Sequence, residues 1–152
     1  MYKILTTLLL GLIISTVACV EGRGKHMTNE IVMEHGTKVY KADYKMVWEA
    51  VKGTLVTDGY YLAYVNPKKG IINTRQKLIR SFIGNNGQAS SYYRQYLVTV
   101  IAISKTEVKV TLSPKLFAGN TDITGEKVWV IDGKDGEILL WEKFFKDVSN
   151  LL

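Results

Sequence analysis

The side chains able to do covalent or metal chemistry are few in this chain: one cysteine, Cys19, and two histidines, His26 and His35. A single thiol makes no intramolecular disulfide and leaves no Cys-x-x-Cys metal pair. Both histidines stand in "VEGRGKHMTNEIVMEH", residues 20–35, far short of the ligand number and spacing of a zinc site. They read as solvated linker residues. The Asp and Glu residues are scattered over turns and helix faces, and no two can be paired from the sequence. No G-x-S-x-G, H-E-x-x-H, P-loop or G-x-G-x-x-G pattern is present. Without a core histidine or a second cysteine, common hydrolase schemes lack a base or a nucleophile. The expectation is a chain with no catalytic residues, no metal and no cofactor.

The position of Cys19 is more telling than its solitude. Met1-Tyr2-Lys3 gives a short positive start, and Ile4–Ile14 is apolar apart from Thr6, Thr7 and Gly11. A charged start, an apolar stretch of about 7–15 residues and a small-residue cleavage site make an export signal. A membrane-spanning helix needs about 20 apolar residues, and this run is broken by Glu21.

Thr16-Val17-Ala18-Cys19 resembles the lipobox of bacterial lipoproteins. The resemblance implies that residues 1–18 are a signal peptide and that Cys19 is the lipidation site. It departs from the family pattern at Thr16, where Leu is usual. Each buried lipid methylene contributes about 0.8 kcal/mol, so two or more chains anchor stably. In the best-known sorting rule an Asp after the cysteine means inner-membrane retention. Val20 therefore leans toward the outer membrane. The expected localisation is the bacterial cell envelope.

The rest must form the body. Of 152 residues, 47% are hydrophobic and 22% charged, which argues against wholesale disorder. Net charge is +6, but the lysines are spread along the chain, so nucleic acid is not the expected partner. Residues 19–35 read as a flexible tether and 36–152 as one domain. Within it, Thr37–Ala42 reads as a strand. Asp43 is a plausible N-cap for a helix with Val47, Trp48, Val51 and Leu55 on one stripe. Gly53 lowers helix propensity by about 1 kcal/mol relative to Ala and so points to close packing. Asp58-Gly59 ends the helix.

Tyr60–Asn66, the turn at Pro67, and Gly70–Lys77 read as a hairpin. Leu78–Ser91, with Gly-Asn-Asn-Gly at its centre, reads as a mobile loop. Tyr92–Ile103 is a long central strand, and Glu107–Leu112 alternates as a half-buried antiparallel one. Pro114–Lys127 reads as irregular, and Val128–Ile131 as either an edge strand or the lead-in to a helix. From Asp135 to Leu152 the spacing of Ile138, Trp141, Phe145, Val148 and Leu152 predicts a helix, widened by Leu139, Phe144 and Leu151. The predicted fold is α+β, β-α-β-β-β-β-α: an antiparallel sheet of about four to five strands with two helices packed on one face.

"VYKADYKMVWEAVKGTLVTDGYYLAYVNPKKGIINT" resembles the opening of helix-grip or TBP-like domains in bacterial envelope lipoproteins, of which the BamC-like lipoproteins are the best-known example. That resemblance implies an accessory subunit of an envelope protein complex, and it carries over no binding residue. BamC-type chains have two such domains where this chain has one. Two sets of residues suit binding. Tyr60, Tyr61, Tyr64, Tyr92, Tyr93 and Tyr96 offer rigid apolar bodies with polar tips. Arg75, Lys77, Arg80 and Arg94 can meet anionic headgroups or glycans. Each set also has a bland reading: sheet core with hydroxyls at the rim, and a solvated basic loop. The favoured function is a lipid-anchored, non-enzymatic protein that binds an envelope protein partner. The alternative is a small-ligand or lipid-binding module with a pocket between helices and sheet.

Overall fold

The computed structural model describes residues 24–84 and 87–152. Cys19 and the predicted signal lie outside the described residues. The element order is α1 (Asn29–His35), β1 (Thr37–Tyr40), α2 (Tyr44–Thr57), β2 (Leu62–Asn66), β3 (Ile71–Thr74), β4 (Lys77–Ile83), β5 (Ala89–Ala102), β6 (Val108–Ala118), β7 (Thr121–Asp122) and α3 (Glu137–Asn150).

The fold is α+β, with seven antiparallel strands where four to five were expected. The main path runs β1-β6-β5-β3-β2, with β4 pairing β5 and β7 pairing β6. Two long strands account for the extra pairings. β5 spans 14 residues and β6 spans 11, so each takes different partners at its two ends. β3 pairs β5 at Leu97–Thr99, and β4 pairs it from Ala89 to Arg94. The expected mobile loop over 78–91 is therefore corrected. Most of it is β4 and the start of β5, joined in a hairpin.

The region from Pro114, expected to be irregular, is corrected too. β6 continues through Pro114 to Ala118. Proline is tolerated because its residue needs no ladder donor there. Tyr96 faces Pro114, and the Tyr96 amide donates instead to Thr74 Oγ1 at 2.9 Å. On the opposite edge of β6, the Leu112 amide meets the Gly36 carbonyl and the Leu116 amide meets Thr124 Oγ1. Pro114 falls between them, in the stretch that separates β1 from β7.

α2 starts as the sequence predicts: the Asp43 carboxylate accepts from the Lys45 amide at 2.8 Å. Its buried residues include Val47, Trp48, Val51 and Leu55. Gly53 does not mark close packing. A Cβ built there meets only Leu151 Cδ1, at an ordinary 4.0 Å. Gly70 does require glycine, with φ +64° and a backbone approach to the Val100 carbonyl that leaves no room for a side chain.

The main core joins Trp48, Val51 and Leu55 of α2 to Trp141, Phe145 and Val148 of α3, over Ile72, Val98, Val100, Val110 and Leu112. These strand residues share one face of the sheet, which the helices cover. The apolar stripe of α3 is narrower than expected, because Leu139, Leu151 and Leu152 are exposed.

Residues 24–35 are not a tether. Thr28 caps α1, Val32 is buried in the core, and the Lys25 and Trp129 backbones exchange hydrogen bonds at 2.8 and 3.0 Å. Repeated polar residues hid this helix, whose seven residues show too little periodicity to read. His26 accordingly sits against the Gly125 carbonyl, with Nδ1 at 3.1 Å. His35 ends α1.

Candidate binding surfaces

The tyrosines and basic residues predicted to bind separate into three places. Tyr60 and Tyr96 are core residues, packed edge to face at 5.1 Å. Tyr96 donates to Glu137 Oε1 at 2.6 Å, and Arg94 Nη2 stands 2.8 Å from Glu137 Oε2. The Arg94–Glu137 contact is an ion pair without an aligned hydrogen bond, so Glu137 Oε2 has no hydrogen-bond partner, and neither does Arg94 Nε. Lys77 closes this cluster from outside. Its ammonium lies 4.8 Å from the Tyr60 ring centre and donates to the Asp58 carbonyl.

Glu137 is the residue the sequence did not single out. It is the first residue of α3 and only 1% exposed, and its partner Arg94 is 14% exposed at the side chain. Burial raises the Glu137 carboxyl above its ordinary range, while Arg94 and the Tyr96 hydroxyl pull it back. Burial also raises Tyr96 well above a free phenol, and the Glu137 charge pushes the same way. Tyr60 is raised by burial, with Arg94 opposing. An i, i+4 reading places Glu137 on the Trp141 face of the helix, which is the one clue the sequence held. A buried ion pair of this kind is not strong evidence for stability, but removing one partner is costly.

Among the described residues, no group of three or more His, Cys, Asp or Glu is placed to hold a metal. No described helix is long and apolar enough to cross a membrane.

The second place is the sheet face away from the helices. Alternation along β5 puts Tyr93, Gln95, Leu97, Thr99 and Ile101 there, opposite Phe117, Lys115, Ser113, Thr111 and Lys109 of β6. Tyr64 joins this face across from Asn73 of β3, and its hydroxyl accepts from Asn66 Nδ2 at 2.8 Å. No helix lies over these residues. Tyr61, at 78% exposure, stands just before β2 with Arg75 close by: the Arg75 amide donates to the Tyr61 carbonyl at 2.7 Å.

The third place is an open groove of about 920 Å³ beyond the start of α3. Its floor includes Tyr92, Arg94 and Leu116, with Phe82 at the rim. Phe82 and Tyr92 stack at 5.8 Å, and Arg80 lies over the Phe82 ring at the same distance. The opposite wall is the segment around Val128–Val130. Three contacts fix it: the Glu137 amide donates to the Val130 carbonyl, the Ile138 amide to the Ile131 carbonyl, and Trp129 Nε1 to the Thr124 carbonyl. The segment is not an edge strand: it makes a single isolated bridge to Lys25, and its carbonyls at Val130 and Ile131 receive the first amides of α3. Trp129, Ile131 and Leu116 form a small second core beneath it.

The fold defines a chain of the α+β class, with helices on one face of an antiparallel sheet. No family model matches it, and no curated protein matches it. Several solved structures are similar, two of them from Bacteroides and Parabacteroides. One is a DUF4468 family protein from Bacteroides ovatus, 12% identical over 76% of this chain and 83% of that one, with a TM-score of 0.44. The other is a TBP-like protein from Parabacteroides distasonis, 9% identical over 76% of this chain and 89% of that one, with a TM-score of 0.43. Neither likeness assigns a function.

Proposed function

We propose that the chain is a lipid-anchored, non-enzymatic protein of the bacterial envelope, held at Cys19, whose domain binds a protein partner through the open face of its sheet. The observation that carries this reading is the one-sided cover of the sheet. Helices bury one face, while the other presents Tyr64, Tyr93, Leu97, Ile101 and Phe117 beside Lys109 and Lys115. Aromatic and aliphatic side chains ringed by polar ones are the composition of a protein interface. The lipobox resemblance and the order of strand, helix, strands and helix support the rest. The alternative, a ligand pocket between helices and sheet, is less favoured, because Trp48, Trp141 and their neighbours fill that space.

The test is site-specific photocrosslinking in intact cells. A crosslinker at Gln95, on the open face, should give one discrete protein adduct, and Leu97→Asp should abolish it. A crosslinker at Glu49, on the solvent side of α2, should give none. An adduct-free open face in cells that express the mature protein overturns the reading.

A further inference from the structure

We propose that the groove beside α3 docks onto an anionic lipid bilayer and holds the domain flat against the membrane. This inference rests on the lipid anchor at Cys19. It adds an orientation that the anchor alone does not supply.

Three observations lead there. First, Gly24 lines the groove, and Lys25 is pinned to Trp129 in its wall. Gly24 is only five positions after Cys19, with four residues between them. Even fully extended, five residues span at most about 17 Å. An acylated Cys19 therefore keeps Gly24, at the edge of the groove, within that distance of the bilayer.

Second, the groove rim is apolar and exposed. Ile79, Phe82, Val128, Val130 and Leu140 all line it and all stand open to solvent. They come from three separate parts of the chain, so the patch is contiguous in space and not in sequence. Contiguous exposed apolar surface of this kind marks an interaction site. Third, Arg80, Lys127 and Lys134 border the same groove, and none is paired with a carboxylate among the described residues. Asp135 is the one acidic residue in the lining. Apolar side chains flanked by unpaired cations match the acyl and headgroup layers of an anionic leaflet. The open sheet face stays free for a protein.

The test uses the mature, lipidated protein in vesicles of phosphatidylcholine alone or with phosphatidylglycerol. Acylation blocks Cys19, so an introduced cysteine carries the only free thiol. Val130→Cys, 56% exposed, reports on the groove. Ile103→Cys, 54% exposed, reports on the turn just beyond the far end of β5. The strand runs ten steps from Tyr92 to its end at Ala102, about 34 Å, before it reaches Ile103.

With an environment-sensitive label, position 130 should shift to shorter wavelength and be quenched by lipid-borne nitroxide in anionic vesicles. Position 103 should do neither. Lys127→Gln with Lys134→Gln should lower the docked-to-undocked ratio about thirtyfold, roughly fivefold per cation. If the protein is acylated but both labels stay equally in water, the groove is not the docking face and the proposal fails while the anchor stands. Equal shielding of position 130 in neutral and anionic vesicles also overturns it. If mass spectrometry shows an unmodified Cys19 sulfur, the anchor reading itself fails and this inference with it.

Discussion

Two halves of one sheet are built differently. Where β1 and β3 flank β6 and β5, two long helices lie over the strands, and Val98, Val100, Val110 and Trp141 are sealed from solvent. Where β4 and β7 flank the same two strands, the cover shrinks to the segment before α3. The second core there comprises Leu116, Trp129 and Ile131. The β5–β6 ladder runs through both halves, while β4 pairs β5 with a register shift between Leu78 and Arg80. The difference teaches that strand pairing and core formation are separable. The packed half supplies stability, and the thinly covered half leaves its apolar surface for other work. Regions with few buried apolar contacts also open most readily.

The largest expected effect is in the packed half. Trp141→Ala should lower global stability by about 4 kcal/mol in urea denaturation, through lost burial and the cavity left behind. The second prediction falls where the halves meet. Arg94→Met strands the Glu137 carboxylate in the interior and should cost about 3 kcal/mol at neutral pH. Its pH dependence has a definite sign. The folded Glu137 pKa already lies above its unfolded value, and loss of Arg94 raises it further. The folded state then binds the proton more tightly, so stability is fully present below the unfolded value near 4.5 and is lost as pH rises through the folded one. The deficit of the variant relative to wild type should shrink in acid. A pH-independent deficit would separate Arg94 from Glu137 and break the comparison.

Smaller effects sharpen it. Asp43→Ala removes the cap of α2 and should cost about 1 kcal/mol in thermal melts. Gly53→Ala should stabilise by about 0.8 kcal/mol, since the helix gains propensity and the new methyl has room. Val130→Ser, on the groove wall, should change stability by less than about 0.5 kcal/mol, because the side chain is exposed. A large loss there would mean that the groove rim belongs to the core.

Much of the packed half was legible in the sequence. Val47, Trp48, Val51 and Leu55, and likewise Trp141, Phe145 and Val148, repeat at helical spacing, and Asp43 and Gly59 punctuate α2 as turn chemistry dictates. The thinly covered half was not legible. In β4, "KLIRSFI" carries exposed apolar residues on both faces, so no alternation marks it as a strand. Pro114 reads as a breaker unless one knows that its edge of β6 lacks a partner. Among the predicted contact residues, Tyr60 and Tyr96 are interior, Arg94 is an ion-pair partner, and Tyr61, Tyr64 and Arg75 are at the surface. Tyrosine type alone does not separate these, because a ring with a hydroxyl suits both a satisfied core and an interface. The pairing of Arg94 with Glu137 links positions 43 residues apart and has no local signature.

Pro114 has a consequence for how the sheet was assembled. It is buried, and it occupies the single outward-facing slot on β6 between the Leu112 amide, which meets the Gly36 carbonyl just before β1, and the Leu116 amide, which meets Thr124 Oγ1 just after β7. Any other residue would put an N–H into that slot with no ladder strand beside it to accept, and an orphaned buried amide costs about 1–3 kcal/mol. The ring works as a splice. It lets two unrelated short strands be joined end to end along one long neighbour without a dangling donor at the seam.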